Sequence, residues 1–432
     1  MINIKDKKEC CGCSACASIC PKHCITMTEN HEGFLYPNVD EDTCISCGLC
    51  EKVCNELHPY DTREPLQVLA AINKNEDVRL KSSSGGIFYI LAEKTIREGG
   101  VVFGARFDEK WQVVIDYAED MKDVEAFMGS KYVQARIDKA YIDAKRFLSE
   151  GRQVLFSGTP CQVAGLHKFL RKPYINLLSV DFVCHGTPSP KVWRMYLDEV
   201  VKKSQSVSNV EFRNKDKGWK KFCFKLKYNE DDKSLSLLSP YPENHYMKAF
   251  LQDIILRPSC YACKAKGFSS QSDITIADFW GIETVFPEMD DDKGTGLVFV
   301  NTEKGEAALD VTQMKVLETT YKRIKPLNTA CYRSSVVPSK REAFFQRLGN
   351  EDLIALINDS TKPPFCQRVR MYKEHCKSFV KNMLISVVGG GVGNNIKFKE
   401  TITIPSNLQI VSVSFRNKNN GWKNYNIMIK VK

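Results

Sequence analysis

The sequence predicts an α+β chain of several domains, on three observations. Its 432 residues exceed one core of ordinary size, at a soft rule of roughly 150 residues per domain. Ten of its eighteen cysteines stand within the first 54 residues, which marks off a small amino-terminal unit. The middle alternates short apolar runs with helical stretches, the pattern of an α/β region whose sheet is partly parallel.

Composition narrows the function classes. Hydrophobic residues at 43% and charged residues at 26% match a chain that buries ordinary cores. The formal charge of +10 is scattered rather than gathered in a tract, which argues against nucleic acid and fits an acidic protein partner. The start, MINIKDKKECC, has no apolar signal segment, and the run Met383 to Val388 is too short to span a bilayer. The expectation is a cytoplasmic protein with no membrane span, whose thiols stay reduced and serve as metal ligands rather than disulfides.

The first element, residues 1–57, reads CCGCSACASICP from residue 10. Cys10, Cys13, Cys16 and Cys20 stand at the x2, x2, x3 spacing of bacterial ferredoxins, with Pro21 following. Cys44, Cys47, Cys50 and Cys54 repeat that spacing, with Asn55 in place of the proline. Two copies predict a ferredoxin-like domain with two 4Fe-4S clusters. The fourth cysteine of each run completes the other set, so Cys54 joins Cys10, Cys13 and Cys16, and Cys20 joins Cys44, Cys47 and Cys50. Structural zinc uses CxxC pairs with a longer spacer, not a doubled run of three plus one. Cys11 and Cys24 fall outside the pattern and read as packing residues.

HPYDTREP, residues 58–65, reads as a linker. VLAAIN then reads as a strand, and KSSSGG precedes the helical stretch IFYILAEKTIREGG. Ser83, Ser84, Gly85 and Gly86 admit two readings: a cradle of backbone N–H groups for a phosphate, or an N-cap by Ser83 or Ser84. GGVVFGARFD and WQVVIDYAED read as paired strands, and YIDAKRFLSEG as an amphipathic helix, closing a segment at 66–150. From Val154 the order is strand (VLFSG), helix (CQVAGLHKFL), strand (LLSVDFVC), a right-handed crossover between parallel strands. Cys161 and Cys184 therefore sit just past the carboxyl ends of neighbouring strands, where open sheets hold their ligands. RPSCYACK adds Cys260 and Cys263 at x2 spacing. We read these four cysteines as the ligands of a third 4Fe-4S cluster; spacing alone allows zinc equally, and the two preceding clusters favour iron.

KSSSGG, GSKYVQ, FSGTPCQ, DFVCHGTPSP, FRNKDKGWKKF, RPSCYACK and DITIADFWG follow in an order that resembles the family of coenzyme F-420 hydrogenase/dehydrogenase beta subunits. With the ferredoxin-like segment, the resemblance covers residues 1 to about 345. It implies an iron–sulfur flavoprotein that carries FAD and passes electrons between clusters and an organic acceptor, a deazaflavin or another small molecule. It implies flavin contacts by Ser83, Ser84, Gly85 and Gly86, by Lys131, Tyr132 and Gln134 of GSKYVQ, and by Gly158 and Thr159. His185, beside Cys184, is the candidate catalytic residue, to donate a proton or orient a carbonyl. Asp278 and Trp280 are candidates to line the acceptor pocket. The sequence departs from the family at Ala277, where glycine is usual, and at SSQSD (269–273), where an arginine is expected. The expected partners are a small-molecule substrate and a one-electron protein such as a ferredoxin, with a place in an oligomer or complex. The alternative function is an electron-transfer component that relays electrons between partner proteins without a substrate of its own.

The segment 151–345 is followed by an extension, 346–432, that the sequence explains least. VEFRNKDKGWKKF (210–222) recurs there as VSFRNKNNGWKNY (413–425), which predicts a second hairpin with a basic edge. LISVVGGGVGNN reads as a connector, because no helix pattern follows its glycines. Cys223, Cys331, Cys366 and Cys376 have no partners at ligand spacing and read as structural.

Overall fold

The structure is a computed structural model that describes residues 1–202, 204–230 and 233–362, and the backbone of strands 408–417 and 422–431. The chain divides into two compact units, Met1–Thr361 and Lys362–Lys432. The helix at residues 353–361, inside the stretch expected as an extension, belongs to the first unit.

At the amino terminus, helices α1 (Ala15–Ile19) and α2 (Leu49–Lys52) flank the antiparallel pair β1 (Ile25–Glu29) and β2 (Leu35–Val39). This is the small ferredoxin-like domain. Its Ala15, Phe34 and Val53 are buried in one apolar core together with residues of the following region such as Phe103 and Phe156. Phe34 has no exposed surface, and burying such a ring contributes on the order of 2–3 kcal/mol. Hence the domain is packed down rather than tethered.

The α/β region supplies β3 (Gln67–Asn73), α3 (Glu76–Lys81), α4 (Ile87–Arg97), β4 (Val101–Phe107), β5 (Val113–Ala118), α5 (Met121–Val124) and α6 (Ala140–Ser149). The crossover unit follows: β6 (Val154–Gly158), α7 (Pro160–Leu170) and β7 (Leu177–Phe182). After α8 (Pro190–Val200) come β8 (Ser206–Asn214), β9 (Cys223–Glu230) and β10 (Lys233–Pro240), an antiparallel sheet of three, and then α9 (His245–Leu251). The remainder is β11 (Ile274–Asp278), α10 (Ile282–Val285), β12 (Gly296–Val300), α11 (Glu303–Ala308), β13 (Met314–Thr319), α12 (Tyr321–Ile324), α13 (Arg341–Arg347) and α14 (Leu353–Thr361).

Eight of these strands form one mixed sheet in the order β13-β3-β12-β11-β7-β6-β4-β5. Strands β4, β6, β7 and β11 run parallel, and β3, two antiparallel steps from β11, runs with them. Five strands thus end at one edge. Alternation along them covers both faces: Phe103, Phe156 and Leu177 enter one core, and Val102, Leu155 and Val180 the other. Buried on both sides, such strands read as near-continuous apolar runs. Helix α7 starts sharply because Pro160 stands in its first turn and Gln162 Oε1 accepts from the Thr159 N–H at 3.1 Å.

In the second unit the described part is β14 (Leu408–Asn417) paired antiparallel with β15 (Trp422–Val431). The repeated sequence thus overlaps an antiparallel strand pair in the second unit, and in the first it carries the end of β8 up to the start of β9 at Cys223. The glycine-rich segment 384–395, Cys366 and Cys376 lie outside the described residues.

Candidate metal and cofactor site

The two amino-terminal cysteine loops turn alike although their residues differ. Gly12 and Ser46, 34 positions apart, are both left-handed (φ 73° and 52°), as are Ser14 and Gly48 (φ 61° and 71°). Left-handed residues at these matching positions turn both loops tightly. Burial first, then the neighbouring Cys10 and Cys54 thiols, pushes Cys16 up to about 12. Cys54 is raised by burial and by Cys10. Cys54 therefore stands with the first run. Cys20 lines one cavity with Cys44, Cys47 and Cys50, about 360 Å³ including space open to solvent. Of this second set Cys47 is exposed.

The third group is assembled from three places. Cys161 is in the first turn of α7, where the helix dipole favours a thiolate. Cys184 lies two residues past β7, and Cys260 and Cys263 lie on and just after the short turn Pro258–Ala262. Burial raises Cys184 well above its ordinary range; Lys266 opposes this, while Cys260, Cys161 and Cys263 add to it. Cys263 is pushed up to about 12 by burial and then by Cys161. The four thiols feel one another, and the Thr187 N–H donates to Cys260 Sγ at 3.3 Å. Among the described residues no three Cys, His, Asp or Glu side chains converge on a single ion position. A donor set made only of thiols suits an iron–sulfide cage.

The first and third groups adjoin. A Cβ on Gly165 of α7 would stand 3.0 Å from Cys13 Sγ, so only glycine lets the helix that carries Cys161 approach this closely. Cys11, read from sequence as a packing residue, is buried between them: its thiol is raised first by Cys13, and it is in turn the first cause that raises Cys161. Cys24 lies 3.3 Å from Cys20 Sγ. Both extra thiols thus pack against thiols of the expected ligand sets, a placement that spacing rules do not signal.

At the strand-end edge, neither Ser83 nor Ser84 caps α4. The N-cap is Gly86, left-handed at φ 80°, which corrects the N-cap reading. Ser83 Oγ instead accepts from the Ser130 N–H at 2.7 Å, joining KSSSGG to GSKYVQ, and Ser84 Oγ donates to the Thr295 carbonyl at 2.7 Å. Gly85 is pressed between strands: a Cβ there would meet the Ala71 oxygen at 2.3 Å. Lys131 Nζ donates to the Met128 and Gly129 carbonyls, and Lys215 Nζ to those of Arg79, Ser84 and Lys293. Burial pushes each ammonium down to about 7. Two cations bonded only to carbonyls suit an anionic group. Tyr132 packs on Phe250 with ring centroids 4.6 Å apart, and Gln134 turns its amide to the Cys11 carbonyl and to Arg257. Gly158 ends β6, and Thr159 Oγ1 lies 3.2 Å from Cys161 Sγ.

FRNKDKGWKKF contributes more than the basic edge expected of it. Arg213 is paired with Asp278 at 2.5 Å, and Trp219 stacks on Trp280 at 4.6 Å and 18°. Arg213 Nε and Trp219 Nε1 are buried without partners. No spacing rule signals these residues. His185 Nε2 lies 2.6 Å from Asp253 Oδ1, and its ring meets Phe250 edge-on.

SSQSD, where an arginine was expected, forms a buried polar network instead. Ser270 and Thr275 donate to Asp181, Ser179 donates to Asp273, and the arginine that reaches this segment is Arg63, through the Phe268 and Ser272 carbonyls. Burial pushes Asp181, at 1% exposure, up to about 6 against its hydroxyl donors. A carboxyl raised on folding contributes stability that is full below its unfolded value near 3.8 and lost as pH rises through about 6. The shift is worth about 3 kcal/mol. Denaturation midpoints at about pH 4 and about pH 7.5 should therefore lie closer together for Asp181→Asn than for the unmodified protein.

Comparison with known proteins adds the following. Residues 151–323 match the family described as the carboxyl-terminal part of the coenzyme F420 hydrogenase/dehydrogenase beta subunit, and residues 9–56 match the 4Fe-4S dicluster domain. The coenzyme F420-dependent sulfite reductase of Methanocaldococcus jannaschii is 26% identical over 194 residues, 43% of this chain and 29% of that protein. One chain of the F(420)H(2) dehydrogenase of Methanosarcina mazei is 21% identical over 162 residues, 35% of this chain and 46% of that one. The chain thus spans less than half the length of either. A 7Fe ferredoxin of Hydrogenibacillus schlegelii is 37% identical over 65 residues, 15% of this chain and 77% of that one. A chain from the F420-reducing nickel–iron hydrogenase complex of Methanosarcina barkeri aligns over 73% of this chain and 94% of its own, with 16% identity and a TM-score of 0.42. Among the described residues no helix is long and apolar enough to cross a membrane.

Proposed function

Because the chain belongs to the family of coenzyme F420 hydrogenase/dehydrogenase beta subunits, with a 4Fe-4S dicluster domain ahead of the family's carboxyl-terminal domain, we propose that it is an iron–sulfur flavoprotein oxidoreductase. In this reading electrons pass between an external one-electron protein, such as a ferredoxin, and a small organic acceptor or donor, a deazaflavin or another compound. When bound, the clusters supply one-electron transfer, and FAD supplies the exchange between single electrons and a hydride equivalent.

One observation carries the reading: four thiols from distant stretches, Cys161, Cys184, Cys260 and Cys263, gather at the strand-end edge, with Cys13 packed against the helix that bears Cys161. Cys10, Cys13, Cys16 and Cys54 would hold one amino-terminal cluster. Cys20, Cys44, Cys47 and Cys50 would hold the other, with Cys47 at the surface where an outside protein docks. Ser83, Ser84, Gly85 and Gly86 would approach the FAD phosphates, with Lys131 and Lys215 as counter-charges and Tyr132, Gln134, Gly158 and Thr159 fixing the surrounding loops. Arg213, paired with Asp278, and the Trp219–Trp280 pair would form a flat wall beside this loop. His185, beside Asp253, would donate a proton or orient a carbonyl.

The test is protein purified without oxygen, with iron, acid-labile sulfide, zinc and flavin quantified. The expected result is iron and sulfide in equal amounts, corresponding to three cubanes, with little zinc and one FAD. Zinc in place of a third of the iron would overturn the third cluster. Flavin that bleaches only when a partner protein is added would favour the alternative, a relay protein without its own substrate.

A further inference from the structure

Four buried arginines stand inside the first unit, and three of them meet a carboxylate. Arg79 pairs with Asp291 at 2.6 Å, Arg213 with Asp278 at 2.5 Å and Arg341 with Glu32 at 2.7 Å. Arg257, with no exposed surface, differs. Its Nε donates to the Cys10 carbonyl at 2.7 Å, Nη1 to Gln134 Oε1 at 3.1 Å, and Nη2 to the Leu35 carbonyl at 2.9 Å. The remaining contact is Nη2 to Cys10 Sγ at 3.5 Å. The guanidinium lies over the rings of Tyr36 and Phe34, at 4.3 and 5.4 Å.

An isolated buried cation costs several kcal/mol unless a counter-charge is near. The acidic groups that act most on Arg257 are Cys10, Tyr36, Cys11 and Cys260; the largely buried Glu56 carboxylate also feels its charge, but makes no hydrogen bond to it. The backbone makes room for this arrangement. A Cβ on Gly12 would stand 2.7 Å from both Arg257 Nη1 and Gln134 Nε2. Meanwhile the Arg257 carbonyl accepts from the Cys260 N–H at 2.9 Å. One residue, anchored in the loop of the third thiol group, thus presses a permanent charge against the first.

We infer that Arg257 is a positioning residue that raises the reduction potential of the cluster on Cys10, Cys13, Cys16 and Cys54, so that electrons from the outer set collect there before passing to Cys161 and its partners. The inference rests on the proposed reading of those cysteines as cluster ligands. One electron, delivered by the external one-electron donor, is gained; no bond forms or breaks, and no proton is needed. Reduction adds one negative charge, and a fixed positive charge at hydrogen-bond distance in a dry, low-dielectric setting stabilises the reduced form.

The experiment is a potentiometric titration followed by electron paramagnetic resonance on the unmodified protein, Arg257→Lys and Arg257→Met, with iron and sulfide measured on each. With iron intact, the methionine variant should be about tenfold less reduced at one amino-terminal cluster at a given potential, a shift of about 59 mV for one electron. The lysine variant, which keeps the charge, should stay within about threefold of the unmodified protein. Should the methionine variant lose iron, Arg257→Gln takes its place under the same criteria. Equal midpoints in all variants with full iron overturn the inference and leave the cluster reading standing, as does a lysine variant that falls as far as the neutral one. Unmodified protein without iron overturns both.

Discussion

Cys161→Ser, purified without oxygen, should lose about a third of its iron and sulfide and keep the remainder in the amino-terminal domain. A hydroxyl is a poor substitute for a thiolate on iron, and this position is one of the four proposed to hold the third cage. With the cage gone, the proposed route to the flavin is broken while both ends survive. FAD content should stay unchanged, and the flavin should no longer bleach when a one-electron donor is supplied. Cys260→Ser should behave alike, whereas Cys223→Ser, at a buried thiol far from ligand spacing, should keep all its iron. Iron per chain, flavin per chain and the rate of flavin bleaching decide it. Full iron in the Cys161→Ser protein would remove this thiol from the ligand set.

The second large effect concerns how the ferredoxin-like domain is held. Glu32 and Arg341 are joined by two bonds, of 3.1 and 2.7 Å, with both side chains at about a tenth exposed or less. Arg341 also donates to the Leu256 carbonyl at 2.8 Å and to the Tyr261 hydroxyl at 3.1 Å. Arg341→Ala strands a buried carboxylate; His31, 3.9 Å from the same group and mostly exposed, is a weak substitute. The expected cost is about 3–5 kcal/mol. Replacing both partners, Glu32→Gln with Arg341→Met, should recover much of that loss because no charge is left uncompensated. Chemical unfolding of the three proteins, with protease cleavage in the linker 58–65 as a second readout, measures it. A double variant as unstable as the single one would show that packing, not charge, is what Arg341 supplies.

Both predictions use residues that the sequence treats very differently. The cysteine runs were legible because chemistry fixes their spacing: a tight loop can reach three corners of a cage only with thiols at x2 steps. The strands and helices of the crossover unit were legible for a similar local reason, since a buried parallel strand is a short apolar run and α7 carries a proline at its start. Even the likeness between the sequences 210–222 and 413–425 is visible by eye; the first ends β8 and runs up to β9, and the second overlaps β14 and β15.

Arg341 and Arg257 carry no such signal. Each is one of many basic residues in a chain of net charge +10, and only packing distinguishes a buried guanidinium from a solvated one. Cys11 illustrates the same point from the other side. It falls outside the ferredoxin spacing, yet the docking of α7 through Gly165 brings Cys161 up to it.

What the sequence by itself determined, then, is what depends on separations along the chain: the ferredoxin-type loops, the alternation of strands with helices, and the family to which those motifs point. Tertiary structure alone decided which groups face one another across 247 residues, from Cys10 to Arg257, and which charges lie between them. The reason is physical. Local spacing constrains backbone geometry within a few residues, whereas burial and charge pairing arise only when distant surfaces meet and water is expelled.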